Sequence, residues 1–217
     1  MSHLVNDIED MLPIQAHPAD TLPLMEEFYS IQGEGYYQGH AAWFIRLAGC
    51  DVGCPWCDVK ESWDASLHPS VNIDDMVSKA TASGTRIVVV TGGEPAMYDL
   101  APLTARLKDK GLRTHIETSG AYALTGAWDW VCLSPKKFKA PDPSVLAQAD
   151  ELKIIVYNKS DFDWAEQHAA RVGASCKLFL QPEWSREKEM LPLIVRYVQQ
   201  HPEWSISLQI HKYMNIP

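Results

Sequence analysis

Six apolar runs in this chain break, each at its C-terminal end, into a string of polar or glycine residues. The runs at 42–47, 86–90, 112–117, 130–133, 176–180 and 205–209 lead into Gly49-Cys50, Thr91-Gly92-Gly93-Glu94-Pro95, Thr118-Ser119-Gly120, Ser134-Pro135-Lys136, Gln181-Pro182 and His211-Lys212. A seventh run, 152–156, has the same strand-forming character. Between the runs lie amphipathic stretches at 73–82, with Asn72 as N-cap, at 100–110 and 162–172, stopped by Gly111 and Gly173, and at 187–200. Strands that alternate with helices require crossover connections, and these produce a parallel sheet. Ligands of such sheets bind where the strands end, so one rim collects the polar strings. Seven strands with few helices predict an α/β fold, a partial (β/α) barrel of parallel strands with its active site at their C-terminal ends.

A chain of 217 residues suffices for one domain with a substantial core. Residues 1–22 are polar, carry Pro13 and Pro18 and show no sustained period, so they read as an N-terminal extension, with the barrel domain at 23–217. The net charge of −9 argues against a nucleic-acid backbone or an anionic membrane as the main partner. There is no apolar run of membrane-spanning length and no signal peptide, which makes a cytoplasmic location the default.

Cys50, Cys54 and Cys57 follow the spacing C-x3-C-x2-C. Soft thiolates this close suit iron–sulfur clusters, zinc or copper(I). A structural zinc site closes its tetrahedron with four protein ligands, and here only His40 or Asp58 is at hand as a fourth. Three cysteines on a [4Fe-4S] cluster instead leave one iron open to a ligand. The other two cysteines, Cys132 and Cys176, lie singly in apolar runs and read as small buried hydrophobes. His115, inside a strand, reads as a core histidine, Lys137 and Lys139 as solvated, and Trp63, Trp164, Trp184 and Trp204 as packing residues, with Trp184 a candidate to line the cofactor pocket.

The cysteine loop, followed by a strand ending in Gly92-Gly93-Glu94-Pro95, resembles the radical S-adenosylmethionine (SAM) enzymes. Further segments, Phe28 to Gly35, Phe44 to Cys50, Glu117-Thr118-Ser119-Gly120, Ser134-Pro135-Lys136 and the ending Gln209 to Pro217, are similar to the 7-carboxy-7-deazaguanine synthase family. This resemblance implies a radical SAM lyase of queuosine and 7-deazapurine biosynthesis that contracts 6-carboxy-5,6,7,8-tetrahydropterin to 7-carboxy-7-deazaguanine with loss of ammonia. Its cofactors would be a [4Fe-4S] cluster on Cys50, Cys54 and Cys57, and SAM.

Carried over residue by residue, the resemblance assigns Ile31, Gln32, Gly33, Glu34, Arg46, Thr91, His211 and the main chain of Pro217 to the substrate. It assigns Trp56, Cys57, Asp58, Gly93, Glu94, Ser134, Pro135, Lys136, Gln181, Pro182, Glu183 and Trp184 to SAM. The chemistry of these types agrees: Gln32 and Glu34 could read a pterin's amide and amino edge, and Arg46 could pair with its carboxylate. The family also implies a homodimer and an electron donor such as flavodoxin or ferredoxin. A Mg2+ ion in the family goes with a Thr or Ser hydroxyl after the third cysteine, and Val59 stands at the residue after Asp58. A glycyl-radical-activating enzyme would share the cysteine and Gly-Gly-Glu motifs but not the Gln-Gly-Glu-Gly segment or the His-Lys-Tyr ending. A zinc-stabilised binding module is the alternative outside catalysis.

Overall fold

The computed structural model describes residues 20–217. In chain order these form β1 (Thr21–Ile31), β2 (Ala41–Leu47), β3 (Ser70–Asn72), α1 (Ile73–Ala82), β4 (Ile87–Gly92), α2 (Ala101–Asp109), β5 (Arg113–Thr118) and β6 (Trp130–Leu133). There follow α3 (Pro143–Gln148), β7 (Glu151–Val156), α4 (Ser160–Ala169), β8 (Lys177–Pro182), α5 (Glu187–Gln200), β9 (Trp204–Ile206) and α6 (Ile210–Met214). One sheet carries all nine strands in the order β3-β1-β2-β4-β5-β6-β7-β8-β9. Every neighbouring pair from β2 to β9 is parallel, so the seven expected strands are present and form the partial barrel. No helix among the described residues is long and apolar enough to cross a membrane.

Several elements differ from the sequence reading. The antiparallel strands β1 and β3 were not anticipated, because Pro23 and the pair Glu26-Glu27 interrupt the apolar pattern of β1. Pro23 brings no N–H to the sheet, but its carbonyl accepts from the Ala48 N–H at 2.9 Å. The sheet begins at Thr21, and Leu22 is buried against the main core, so the domain starts before the expected boundary at 23. Residues 1–19 of the expected extension lie outside the described residues. Toward the other end, the strand expected at 205–209 is only three residues long. A helical turn, α6, follows it and carries the chain back over the rim, ending at Asn215, which adopts a left-handed conformation (φ 53°).

Strand alternation divides the two faces of the sheet. On β7, Leu152, Ile154 and Val156 join the large core beneath the helices, together with Ile45, Val88, Val90, Ile116, Leu103 and Leu107. The inward face carries a small apolar cluster, Ala42, Phe44, Ile87 and Val89, and beside it polar side chains: His115, Glu151, Lys153 and Gln181 are all buried. Charges in such a place persist only when paired, and the pairs formed there shape the site.

The sheet does not close on itself. The loop after β1 bridges the opening instead: the Gly33 carbonyl accepts from the Ile210 N–H (3.0 Å), and the Gly35 N–H donates to Ser207 Oγ (2.9 Å). Ser207 in turn donates to Gln181 Oε1 at 2.6 Å. A side chain at position 33 would overlap the ring of His211, which is the physical reason for glycine there.

Candidate active site at the strand ends

A cavity of about 510 Å³ opens at the C-terminal ends of the strands. On one side stands the cysteine loop that follows β2. Cys54 is buried and Cys50 and Cys57 are partly exposed, all three as free thiols. Burial raises the Cys50 thiol and pushes the Cys54 thiol up to about 11, with a smaller contribution from the neighbouring cysteines. A bound cation would draw the protons from these two. The loop is held from behind by backbone. Gly93 N–H donates to the Leu47 carbonyl (2.9 Å) and Glu94 N–H to that of Gly49 (2.8 Å). A Cβ on Gly92 or Gly93 would overlap the Leu47 or Gly49 carbonyl. The close approach expected of these glycines is thus made with the cluster loop's own backbone. Three thiols that line one cavity on such a braced loop fit a [4Fe-4S] cluster with an open iron.

Glu94, assigned to SAM from the resemblance, lines the cavity, and its side chain has protein partners. Its carboxylate is 1% exposed and accepts from the Ala96 N–H (3.0 Å), Thr118 Oγ1 (2.5 Å), the Ser119 N–H (2.8 Å) and Ser119 Oγ. With four donors on two oxygens it locks the Gly-Gly-Glu turn to the end of β5. Glu183 likewise accepts from Ser185 N–H (3.2 Å) and Ser185 Oγ (2.5 Å), and Gln181 is engaged by Ser207.

Trp56, Cys57, Asp58, Gly93, Ser134, Lys136, Gln181, Pro182, Glu183 and Trp184 all line the cavity. Pro135 instead lines an adjoining hollow of about 350 Å³ beside Trp56, Phe138 and Tyr157. Lys136 donates to the carbonyl and hydroxyl of Ser134 (2.8 and 2.6 Å) and lies over the Trp56 ring, 5.7 Å from its centre. Burial lowers its affinity for a proton. The basic loop that follows is not simply solvated, as expected: Lys137 pairs with Asp161, and Lys139 with Asp51 at 2.7 Å.

The same cavity is lined by all eight residues assigned to the substrate: Ile31, Gln32, Gly33, Glu34, Arg46, Thr91, His211 and Pro217. Four residues that the sequence reading gave no role join them. Lys153, on the inward face of β7, forms ion pairs with Glu34 and, at 3.4 Å, with Glu117 of β5. Gln32 Nε2 donates to Glu117 Oε1 (2.8 Å) and Gln209 Nε2 to Glu34 Oε1 (2.8 Å). Lys212 pairs with Asp58 at 2.9 Å beneath the Trp184 ring. Burial would raise the Glu34 carboxyl, but the charge and hydrogen bond of Lys153, with Gln209 and His211, outweigh it and hold the group near 2. Lys153 was hidden because one lysine in an apolar run carries no motif; the signal that could find it is a charge on the buried, inward phase of a strand. Arg46 stands at the rim with its Nε 2.7 Å from Glu26, and Ser30 Oγ donates to the Pro217 carbonyl at 3.0 Å, fixing the end of the chain against β1.

Of the two side chains considered as a fourth zinc ligand, His40 is turned toward the Tyr37 carbonyl (3.0 Å) and does not line the cavity, and Asp58 lines it paired with Lys212 at 2.9 Å. Val59 lines the cavity without an oxygen to offer Mg2+. Among the described residues the side chains that converge as metal ligands are Glu166, His201 and Glu203, none of which lines the cavity.

A model of the radical SAM superfamily matches residues 44–131. A 7-carboxy-7-deazaguanine synthase of Flavobacterium psychrophilum is 58% identical over 206 residues, covering 95% of this chain and 98% of its own. One from Synechocystis sp. is 47% identical, covering 95% and 99%. One from Escherichia coli K12 is 33% identical, covering 89% and 98%. Among solved structures, that of QueE from Escherichia coli superposes with a TM-score of 0.77 at 31% identity, over 87% of this chain and 94% of that one.

Proposed function

Because the chain belongs to the 7-carboxy-7-deazaguanine synthase family of radical SAM enzymes, we propose that its cavity takes SAM on the cysteine side and 6-carboxy-5,6,7,8-tetrahydropterin on the carboxylate side. The reaction is a ring contraction to 7-carboxy-7-deazaguanine with loss of ammonia. The observation that carries the reading is that one cavity joins the braced cysteine loop to a floor of amide and carboxylate groups.

When bound, the cluster and SAM together supply the one-electron chemistry that starts the reaction. The chain orients and shields. Cys50, Cys54 and Cys57 would hold the iron, while the backbone of Gly93 and the Ser134, Lys136 and Trp56 groups would hold SAM. On the floor, Glu34 is a carboxylate that accepts from N–H donors on a pterin's amino edge. Arg46 and the main chain of Pro217 would fix the far end of the ring system. Walls of Phe28, Phe44, Ile155 and Ile216 keep water from a reactive intermediate.

The competing reading of a glycyl-radical activator loses its support from the named relatives, and the small cavity with its polar floor suits a heterocycle. A Mg2+ ion, where one binds, would have to rely on substrate and water rather than on position 59. The family resemblance also supports a homodimer reduced by flavodoxin or ferredoxin. Anaerobic reconstitution followed by incubation with SAM, reductant and the tetrahydropterin should yield the deazaguanine acid and ammonia. Absence of product from protein carrying four irons per chain would refute the substrate while leaving the superfamily intact.

A further inference from the structure

Lys153 is the most deeply buried cation facing the cavity, with a side chain 4% exposed. It sits between two carboxylates drawn from distant parts of the chain, Glu34 in the loop after β1 and Glu117 at the end of β5. Each of these has a second, amide partner: Gln209 on Glu34 and Gln32 on Glu117. Removing the lysine would leave two like charges close together in a region from which water is largely excluded, and one would take up a proton. A protonated carboxyl donates as well as accepts, so the polarity of the floor would change.

We propose that Lys153 sets the specificity of the substrate site. By keeping Glu34 and Glu117 together as acceptors, it makes the floor select a ring edge that presents adjacent N–H donors, a 2-amino-4-oxopyrimidine. A 2,4-dioxo ring of the same shape would turn a carbonyl toward a carboxylate and be rejected. Lys153 is a positioning residue, acting through Glu34 and Glu117. The inference rests on the substrate reading above. Other titratable groups that face this cluster are Cys132 on β6, Glu151 on β7, Lys136 after β6 and His211 on α6.

The test uses the reconstituted holoenzyme and two substrates, 6-carboxytetrahydropterin and the corresponding tetrahydrolumazine, which carries a carbonyl in place of the amino group. The wild type should prefer the amino ring by at least about 100-fold in kcat/KM. Lys153→Met should cut that preference to below about tenfold, mostly through KM, and move the acid limb of the pH profile upward by at least one unit. Lys153→Arg should restore most of it, and iron content and SAM affinity should stay unchanged in both. A Met variant with the wild-type preference and pH limb overturns the proposal. A wild type with full iron that turns over neither ring overturns the substrate reading instead. Should the Met variant be insoluble, the wild type decides: a preference that is flat between pH 7 and 5 supports a lysine-pinned floor, and a tenfold loss over that range sinks it.

Discussion

The two sides of the cavity are built by different means. The cysteine side is local and made of backbone: residues 47–57 and 91–94 clasp through main-chain hydrogen bonds, and their tolerance is set by whether a Cβ fits. The floor is non-local and made of side-chain charge. Its contacts join Gln32 to Glu117, Glu34 to Lys153 and Gln209 to Glu34 across 85, 119 and 175 positions. Steric change should therefore damage the first side and electrostatic change the second.

Four experiments would break or sharpen that contrast. Cys54→Ser should abolish the iron chromophore and all turnover, while a polar change of the same size on the floor, Gln209→Glu, should leave the chromophore intact. Equal iron loss in both would erase the distinction. Gly92→Ala comes next: at φ 142° and against the Leu47 carbonyl, an added methyl should cost about 3 kcal/mol by denaturant unfolding and lower the iron content. Unchanged stability would show that the clasp yields.

Acid should act on the inward side instead. Burial, with help from Arg113, lowers His115 to about 4. Its neutral form is the one that fits, so this contribution is intact above pH 6.5 and fades as pH falls toward 4, by roughly 3 kcal/mol. His115→Gln, which takes up no proton, should flatten that part of the stability curve, and an unaltered curve would clear His115 of the effect. The smallest expected effect is that of a short tag appended after Pro217. It should raise KM for the pterin about tenfold, near 1.4 kcal/mol, with iron and SAM binding unaffected; an unaltered KM would detach residue 217 from the substrate.

The same contrast explains what could be read in advance. The cysteine loop, the Gly-Gly-Glu turn and the parallel strands are short-range patterns, visible as spacings and apolar runs in a single sequence. Lys153 was not visible, because its meaning depends on two carboxylates brought to it by folding. Glu94 was visible through its motif, but the bracing of β5 by its carboxylate was not. β1 escaped notice because Pro23 and the pair Glu26-Glu27 interrupt its apolar pattern, which disguises a strand as an irregular leader.

The bridge across the open sheet has a consequence for the order in which the protein is made. Gly35 meets Ser207 across 172 positions, and Ser30 meets Pro217 across 187. At ribosomal speed those partners emerge on the order of ten to thirty seconds apart. The cysteine loop and the strand behind it are complete long before then. A growing chain can thus form the cysteine-loop half early, whereas the floor waits for residues 207–217; on the proposed assignment of the two sides, cofactor loading would precede substrate recognition during biogenesis.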